Sequence, residues 1–219
     1  MTLKEQTIAF ADENFTLTNQ RAMFWEKHRM LILSDLHLGK AAHFRKSGIA
    51  LPRQVSVDDL ERLAQLVKYF DACRVLVVGD LIHAGANKEV ALFRNFTEEH
   101  MDIRFLLVRG NHDRLSTARL NELGIREVYE ELIIDGIHFR HHAAVPGQHY
   151  TISGHVHPGI SVLMPARRTM RFPCYVVTAT QIILPAFAKF TGLDTRTFPK
   201  PAVCYAIDED NIFDIRCTD

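Results

Sequence analysis

Continuous apolar runs punctuated by polar loops dominate the first half of the chain. Met30 to Leu33 (MLIL), Arg74 to Val78 (RVLVV) and Phe105 to Val108 (FLLV) each read as a buried strand. Each runs into a loop of ligand-type residues: Ser34-Asp35-Leu36-His37, then Gly79-Asp80, then Gly110-Asn111-His112-Asp113-Arg114. Between them the period lengthens to that of a helix. From Ser56, which is placed to cap, Leu60, Leu63, Ala64 and Val67 share one face, a stripe that ordinary core packing explains. Further helices are expected from Lys88 to about Glu99 and over Leu115 to Leu123, the last stopped by Gly124. Strand, ligand loop and helix in repeated order predict βαβ units, hence an α/β architecture with strand ends gathered on one edge.

Elsewhere the period is two. Thr7 to Phe24 predicts one or two short strands, with Phe24 and Trp25 in the core. Beyond Gly124, strands are expected near Leu132 to Ile134, Ile137 to Arg140, Thr151 to Ser153, Ile160 to Leu163, Arg171 to Thr178, Gln181 to Leu184, Ala202 to Ile207 and Ile212 to Ile215. They imply a second, largely antiparallel sheet packed face to face on the first, with helices outside, in a single domain over residues 1–219. The stretch GKAAHFRKSGIALP, with its glycines and Pro52, is expected to be irregular and to rim a phosphate-bearing ligand.

Charge narrows the functional classes. The 26 basic and 26 acidic side chains cancel, so no global field draws in a polyanion, and a nucleic acid would have to be held locally. Lys40, Arg45, Lys46, Arg109, Arg114, Arg167, Arg168 and Arg171 are the residues available for that, although such residues are commonly no more than solvated surface. The 4 cysteines lie far apart in sequence and read as reduced structural thiols. The N-terminal stretch has no apolar core of signal-peptide type, and the apolar run Tyr175 to Phe187 is broken by Thr178, Thr180, Gln181 and Pro185, so a cytoplasmic location without membrane contact is expected.

The informative excess is histidine, 12 in all, several beside carboxylates. In chain order the candidate metal ligands are Asp35 and His37, Asp80, Asn111 with His112 and Asp113, His141 and His142, then His155 and His157. All are oxygen or nitrogen donors, a set suited to manganese, iron or zinc. Residues two apart in extended chain point the same way, so Asp35 with His37, and His155 with His157, can each converge on one site. His141, at a strand end, is preferred to His142, because neighbours in a strand face opposite ways. Any one of these histidines alone is more commonly a surface or capped side chain; several such groups at strand ends in one chain are not. His28, His43, His83, His100, His138 and His149 lack that context and receive no metal role.

The order DLH at Asp35 to His37, GD at Gly79-Asp80, GNHD at Gly110 to Asp113, His141, and GHVH at Gly154 to His157 resembles the calcineurin-like metallophosphoesterase superfamily. That resemblance implies an α/β, four-layer sandwich of two packed mixed β-sheets flanked by helices, with a two-metal centre between the sheets. It assigns one ion to Asp35, His37, Asp80 and His157, and the other to Asp80, Asn111, His141 and His155. Asp80 would bridge ions about 4 Å apart, and a water activated between them would attack phosphorus in line. His112 would stay off the metal and protonate the leaving alkoxide or steady the phosphoryl oxygens, with Asp113 orienting it. Lys40, Arg45 and Arg114 would contact substrate.

Outside those motifs, DLHLGKAAHFRKSGIALP, GHVHPG, RFPCYVV and LPAFAKFTG are similar to the bacterial ligase-associated DNA damage response endonuclease family. This implies a manganese-dependent phosphodiesterase of DNA-repair settings, with an ATP-dependent ligase, a helicase and an exonuclease among its partners. Relatives tend to read LPAFGxFTGG, whereas this chain has Ala188 and Leu193 in place of glycine. A phosphomonoesterase or a phosphodiesterase for small cyclic or nucleotide substrates remains an alternative, since one centre can serve either reaction. A non-catalytic scaffold fits less well, because no ligand position and not His112 has been lost.

Overall fold

The chain opens with four antiparallel strands, β1 (Glu5–Phe10), β2 (Glu13–Thr18), β3 (Met23–Trp25) and β4 (Met30–Leu33). The structure, a computed structural model, describes residues 2–46, 48, 54–83, 88–145, 147, 149–165 and 168–218, without the side chains at 41, 43, 46 and 88. From β4 the direction becomes parallel: β5 (Arg74–Val78), β6 (Arg104–Val108) and β7 (Ile125–Tyr129) add in turn, completing a seven-stranded sheet in sequence order. Helices α2 (Val55–Tyr69), α3 (Lys88–Glu99) and α4 (Thr117–Glu122) make the crossovers. A parallel ladder forces the carboxyl ends of β4, β5 and β6 to one edge, and all three ligand loops therefore start together.

The second sheet contains β8 (Leu132–Ile134), β9 (Ile137–Arg140), β10 (Tyr150–Ser153), β11 (Gly159–Met164), β12 (Arg168–Val177), β13 (Gln181–Ile183), β14 (Ala202–Ile207) and β15 (Ile212–Cys217). Its order is β15-β14-β12-β13-β10-β9-β8, with β11 paired to β12. Most pairs are antiparallel, but β10 runs parallel to both β9 and β13, so this sheet is mixed too. The eight later strands fall where the two-residue period places them. Strand β7 was not expected, because IREVY alternates weakly, and the stretch Thr7 to Phe24 holds three strands rather than one or two.

Alternation explains the continuous apolar runs. In β4, Met30 and Ile32 face the second sheet, while Leu31 and Leu33 face the helices. The core between the sheets packs Phe15, Trp25, Met30, Leu76 and Leu106 against Phe139, Ile152, Tyr175 and Ile182, each large side chain contributing about 1.5–3 kcal/mol by leaving water. The helical layer sets Leu60, Leu63 and Leu66 of α2 and Phe93 of α3 on the other face. The outer face of the second sheet is covered differently: Cys174, Val176 and Cys204 pack under β11 and Phe198, with no helix there among the described residues.

Two local expectations need correction. Lys40–Lys46 forms a short helix, α1, where the glycines suggested irregular chain; Gly39 and Gly48 bracket it instead. The rest of that stretch, including Pro52, lies outside the described residues. Ser56 does not cap α2, which begins a residue earlier; its hydroxyl donates to Glu89 Oε2 at 3.0 Å and ties α2 to α3. Among the described residues no helix is long and apolar enough to cross a membrane.

Tyr175 of β12 joins the sheets. Fully buried, its hydroxyl lies 2.8 Å from the Ala22 carbonyl and 3.0 Å from that of Thr18, at the β2–β3 turn. Burial pushes its pKa far up, so it remains a neutral donor. Both carbonyls keep other donors, Thr18 N and Oγ1 on Ala22 O and Arg21 N on Thr18 O, so Tyr175→Phe strands no acceptor and is expected to lower stability by about 0.5–1.5 kcal/mol in urea unfolding. An unchanged midpoint and slope would show that the bond adds nothing to the packing.

Candidate metal centre

Beyond the strand ends the backbone turns left-handed. Asp35, His37, Asp80, His155 and His157 have φ of 54°, 50°, 52°, 68° and 49°, a region that residues with a Cβ seldom enter. Each such residue costs about 1–3 kcal/mol and persists where its surroundings enforce it. Here the first two loops enforce each other: Asp35 N donates to Gly79 O at 3.0 Å, His37 N to Asp80 O at 2.8 Å and Leu38 N to Leu81 O at 2.9 Å. Around His155 the Val156 amide closes a three-residue turn on Gly154 O at 2.8 Å. The paired ligands thus converge, but not by strand alternation as expected. They sit in left-handed turns that aim both side chains inward.

The loops are also fastened through the ligands themselves. His155 N donates to Asp35 Oδ2 at 3.0 Å, and His112 N donates to Asp80 Oδ1 at 2.9 Å. The two glycines preceding Asp80 and Asn111 are needed for clearance. A Cβ on Gly79 would stand 1.9 Å from His141 Nδ1, and one on Gly110 would stand 2.1 Å from Asp80 Oδ1.

The side chains gather in two overlapping groups. In the first, His157 Nε2 lies 3.1 Å from His37 Nε2 and 3.2 Å from Asp35 Oδ1, with His37 Nε2 3.8 Å from Asp35 Oδ1 and 4.0 Å from Asp80 Oδ2. In the second, His141 Nε2 lies 3.5 Å from Asp80 Oδ2, 3.0 Å from Asn111 Oδ1 and 3.1 Å from His155 Nδ1. Asp80 belongs to both. All seven residues expected to hold metal are therefore in one place, and Asp35 too lies close to Asp80 and His141.

The donor set fits cations. Asp35 Oδ1 and His37 Nδ1 are buried without a hydrogen-bond partner, and Asp35 is wholly inaccessible to solvent. Burial, reinforced by the Lys40 charge, pulls His37 down to about 3, which leaves a neutral imidazole with a lone pair to give. Burial and the nearby His141 lower His155 as well. Burial would raise Asp80, but hydrogen bonds from His141 and the His112 amide outweigh it and hold the carboxylate ionised.

The remaining expected residues divide. His112 is half-buried beside the centre, its ring 5.6 Å from that of His37 and 4.3 Å from that of His83, tilted 32°. Asp113 does not orient the His112 ring through a hydrogen bond. Its carboxylate accepts from Ile82 N at 2.8 Å and Gly110 N at 2.9 Å, so it shapes the loop. Lys40 borders the centre, with its pKa lowered by burial against the pull of Asp35 and Asp80. Arg45 forms an ion pair with Glu89 at 2.5 Å, a structural engagement, while Arg114 is exposed. Arg109 donates to the carbonyls of Asp113 and Leu115 at 3.1 and 2.9 Å and thereby braces the GNHD loop. Arg167 and the Lys46 side chain lie outside the described residues.

Two histidines differ from their sequence-based reading. His142 does not point away: His141 and His142 follow β9 in a bend, and His142 shares with His141 and His155 a group whose ligand atoms lie within 4.8 Å. His83, given no role, stacks on His112; its only sequence signal is its place three residues after Asp80. The segment LPAFAKFTG also gains a function. Phe187 N donates to Ser34 O at 2.8 Å and Ala188 N to Asp35 O at 3.2 Å. Buried Arg62 lies 4.1 Å over the Phe187 ring, donates to Phe187 O at 2.5 Å and pairs with Asp59 at 2.9 Å, clamping the first ligand loop from behind.

A sequence model of the calcineurin-like phosphoesterase family matches residues 28–158. Among solved structures, the fold is similar to the crystal structure of Pseudomonas putida nuclease MPE, with a TM-score of 0.81 and 26% identity over 97% of this chain and 100% of that one. Weaker likenesses are to protein AQ665 of Aquifex aeolicus (TM-score 0.42, 20% identity, 58% and 78% of the two chains) and to Yfce, a phosphoesterase from E. coli (0.43, 13%, 85% and 98%). Among curated proteins none matches. The matched region spans more than half of the chain and contains every ligand-bearing loop from Asp35 to His157, and the chain belongs to the calcineurin-like phosphoesterase family.

Proposed function

We propose that the protein is a binuclear, manganese-dependent phosphodiesterase that cuts DNA. The observation that carries this reading is the convergence of Asp35, His37, Asp80, Asn111, His141, His155 and His157 at the shared edge of the two sheets with His112 beside them. Likeness along nearly the whole chain to a nuclease supports a nucleic acid as substrate. The segments similar to ligase-associated endonucleases support a DNA-repair setting, with a ligase, a helicase and an exonuclease as partners. When bound, two divalent ions neutralise phosphoryl charge and lower the pKa of a water.

The chain's own groups do the rest. Asp35 and His157 with His37, and His141 with Asn111 and His155, hold the two positions, and Asp80 is shared. His112 is fixed by its amide on Asp80 and by the His83 ring beneath it, so its imidazole can hand a proton to the departing oxygen. Lys40, at the rim, adds positive charge on the phosphoryl side.

The acid role is tested by leaving-group dependence. His112→Ala is expected to keep its metal and to lose about 10²–10⁴-fold in cleavage of labelled DNA, whose alkoxide needs a proton. Hydrolysis of bis-p-nitrophenyl phosphate, whose phenolate leaves unaided, is expected to fall much less. Full DNA cleavage by this variant would rule the acid role out. Enzyme that hydrolyses the small diester but cuts neither single-stranded nor duplex DNA would overturn the substrate assignment. Asp80→Asn is expected to weaken manganese binding by calorimetry at least as much as loss of a supporting residue does, about 10–100-fold, at both positions. Loss of a single ion would show that Asp80 is not shared.

A further inference from the structure

A cleft of about 480 Å³ opens at the His157 end of the ligand row, lined by Val156, Arg171, Leu193, Asp194 and Arg196 as well as His157. Both arginines are exposed, and among the described residues neither guanidinium makes a hydrogen bond or ion pair. Their supports are tied to the last ligand loop. Asp194 N donates to His157 O at 3.0 Å, Gly159 N donates to Asp194 O at 2.8 Å, and Cys174 N of β12 donates to Pro158 O at 3.0 Å. Arg171, three residues before Cys174, and Arg196, two after Asp194, are thus carried at a set position beside the metal centre.

The charges favour an anion here. Asp194 is the one carboxylate lining this cleft among the described residues, and it is engaged: its Oδ1 accepts from the Arg196 and Thr197 amides at 2.7 and 3.0 Å. Hydrogen bonds from those amides hold its pKa below the usual range. Two guanidiniums against that carboxylate leave the cleft positive. The larger cavity that Arg171 also lines, about 730 Å³, sets five carboxylates against Arg21, Arg62, Lys189 and Arg171 itself and so has no positive excess. Of the two, the cleft beside His157, with Arg171 and Arg196, is the one suited to an anion.

We infer that this cleft is a phosphate subsite, in which Arg171 and Arg196 hold the backbone phosphate next to the scissile one in a nucleic acid strand. The inference rests on the DNA-cutting reading above and adds the groups that separate a polynucleotide from a small diester. Guanidiniums suit the task because their planar donors match phosphate oxygens and stay charged at any working pH. Such contacts position the strand without reading its sequence. The loop from Gly192 to Arg196, including Leu193 where relatives tend to have glycine, is then the scaffold of the subsite.

The test compares two substrates in one preparation of Arg171→Ala/Arg196→Ala. With a labelled single-stranded oligonucleotide, kcat/KM is expected to fall by about tenfold or more, mainly through KM, and its logarithmic salt dependence to become shallower by about 0.7 for each arginine. Bis-p-nitrophenyl phosphate has no neighbouring phosphate, and its turnover is expected to fall far less, which also reports that the variant is folded. Arg171→Lys/Arg196→Lys should regain most of the salt dependence. Unchanged DNA kinetics in the alanine variant would overturn the subsite and leave DNA cleavage standing. Equal losses on both substrates would overturn it too, by placing the effect at the metal centre. A wild-type enzyme active on the small diester and inert towards DNA would remove the DNA reading and the subsite together.

Discussion

Two carboxyl groups, Asp35 and Asp80, are buried at the shared edge of two sheets, and the surrounding structure answers the cost of placing them there. Amides of His155 and His112 take one oxygen of each. The other oxygens face His157, His37 and His141. What remains, a buried Asp35 oxygen without a hydrogen bond beside the His37 and His157 rings, is an environment completed by cations.

Those ligands come from both sheets. Asp35, His37, Asp80 and Asn111 follow strands of the first, whereas His141, His155 and His157 follow strands of the second. The spacing of the centre is therefore set by how the sheets pack. Large side chains such as Trp25 and Phe139 fill the interface, Tyr175 adds a directed bond across it, and the segment held by Arg62 closes the outside. The left-handed turns at five ligands are strain that this packing can hold.

A neutral net charge and the proposed function on a polyanion are reconciled locally. Many basic residues are engaged within the fold: Arg45 with Glu89, Arg62 with Asp59, Arg109 with loop carbonyls. Bound cations at the centre, with a few uncommitted guanidiniums beside it, would be enough to hold the two neighbouring phosphates proposed above.

The sequence by itself determined most of the strands, because alternation and apolar runs are short-range properties, and missed β7, whose alternation is weak. It also named the residues that gather at the site, because each stands just past the end of a strand. The mixed second sheet, the shared position of Asp80 and the convergence of the histidine pairs were decided by tertiary structure. Convergence follows from positive φ at Asp35, His37, His155 and His157, which only the hydrogen bonds between neighbouring loops can enforce. The same reason covers what sequence reading missed. His83 matters through a ring that is a neighbour only after β4, β5 and β6 align, and Arg45 loses its expected contact to a glutamate far along the chain. Asp113 likewise serves backbone amides of two loops instead of the adjacent imidazole, since a buried carboxylate bonds the donors that folding brings within reach.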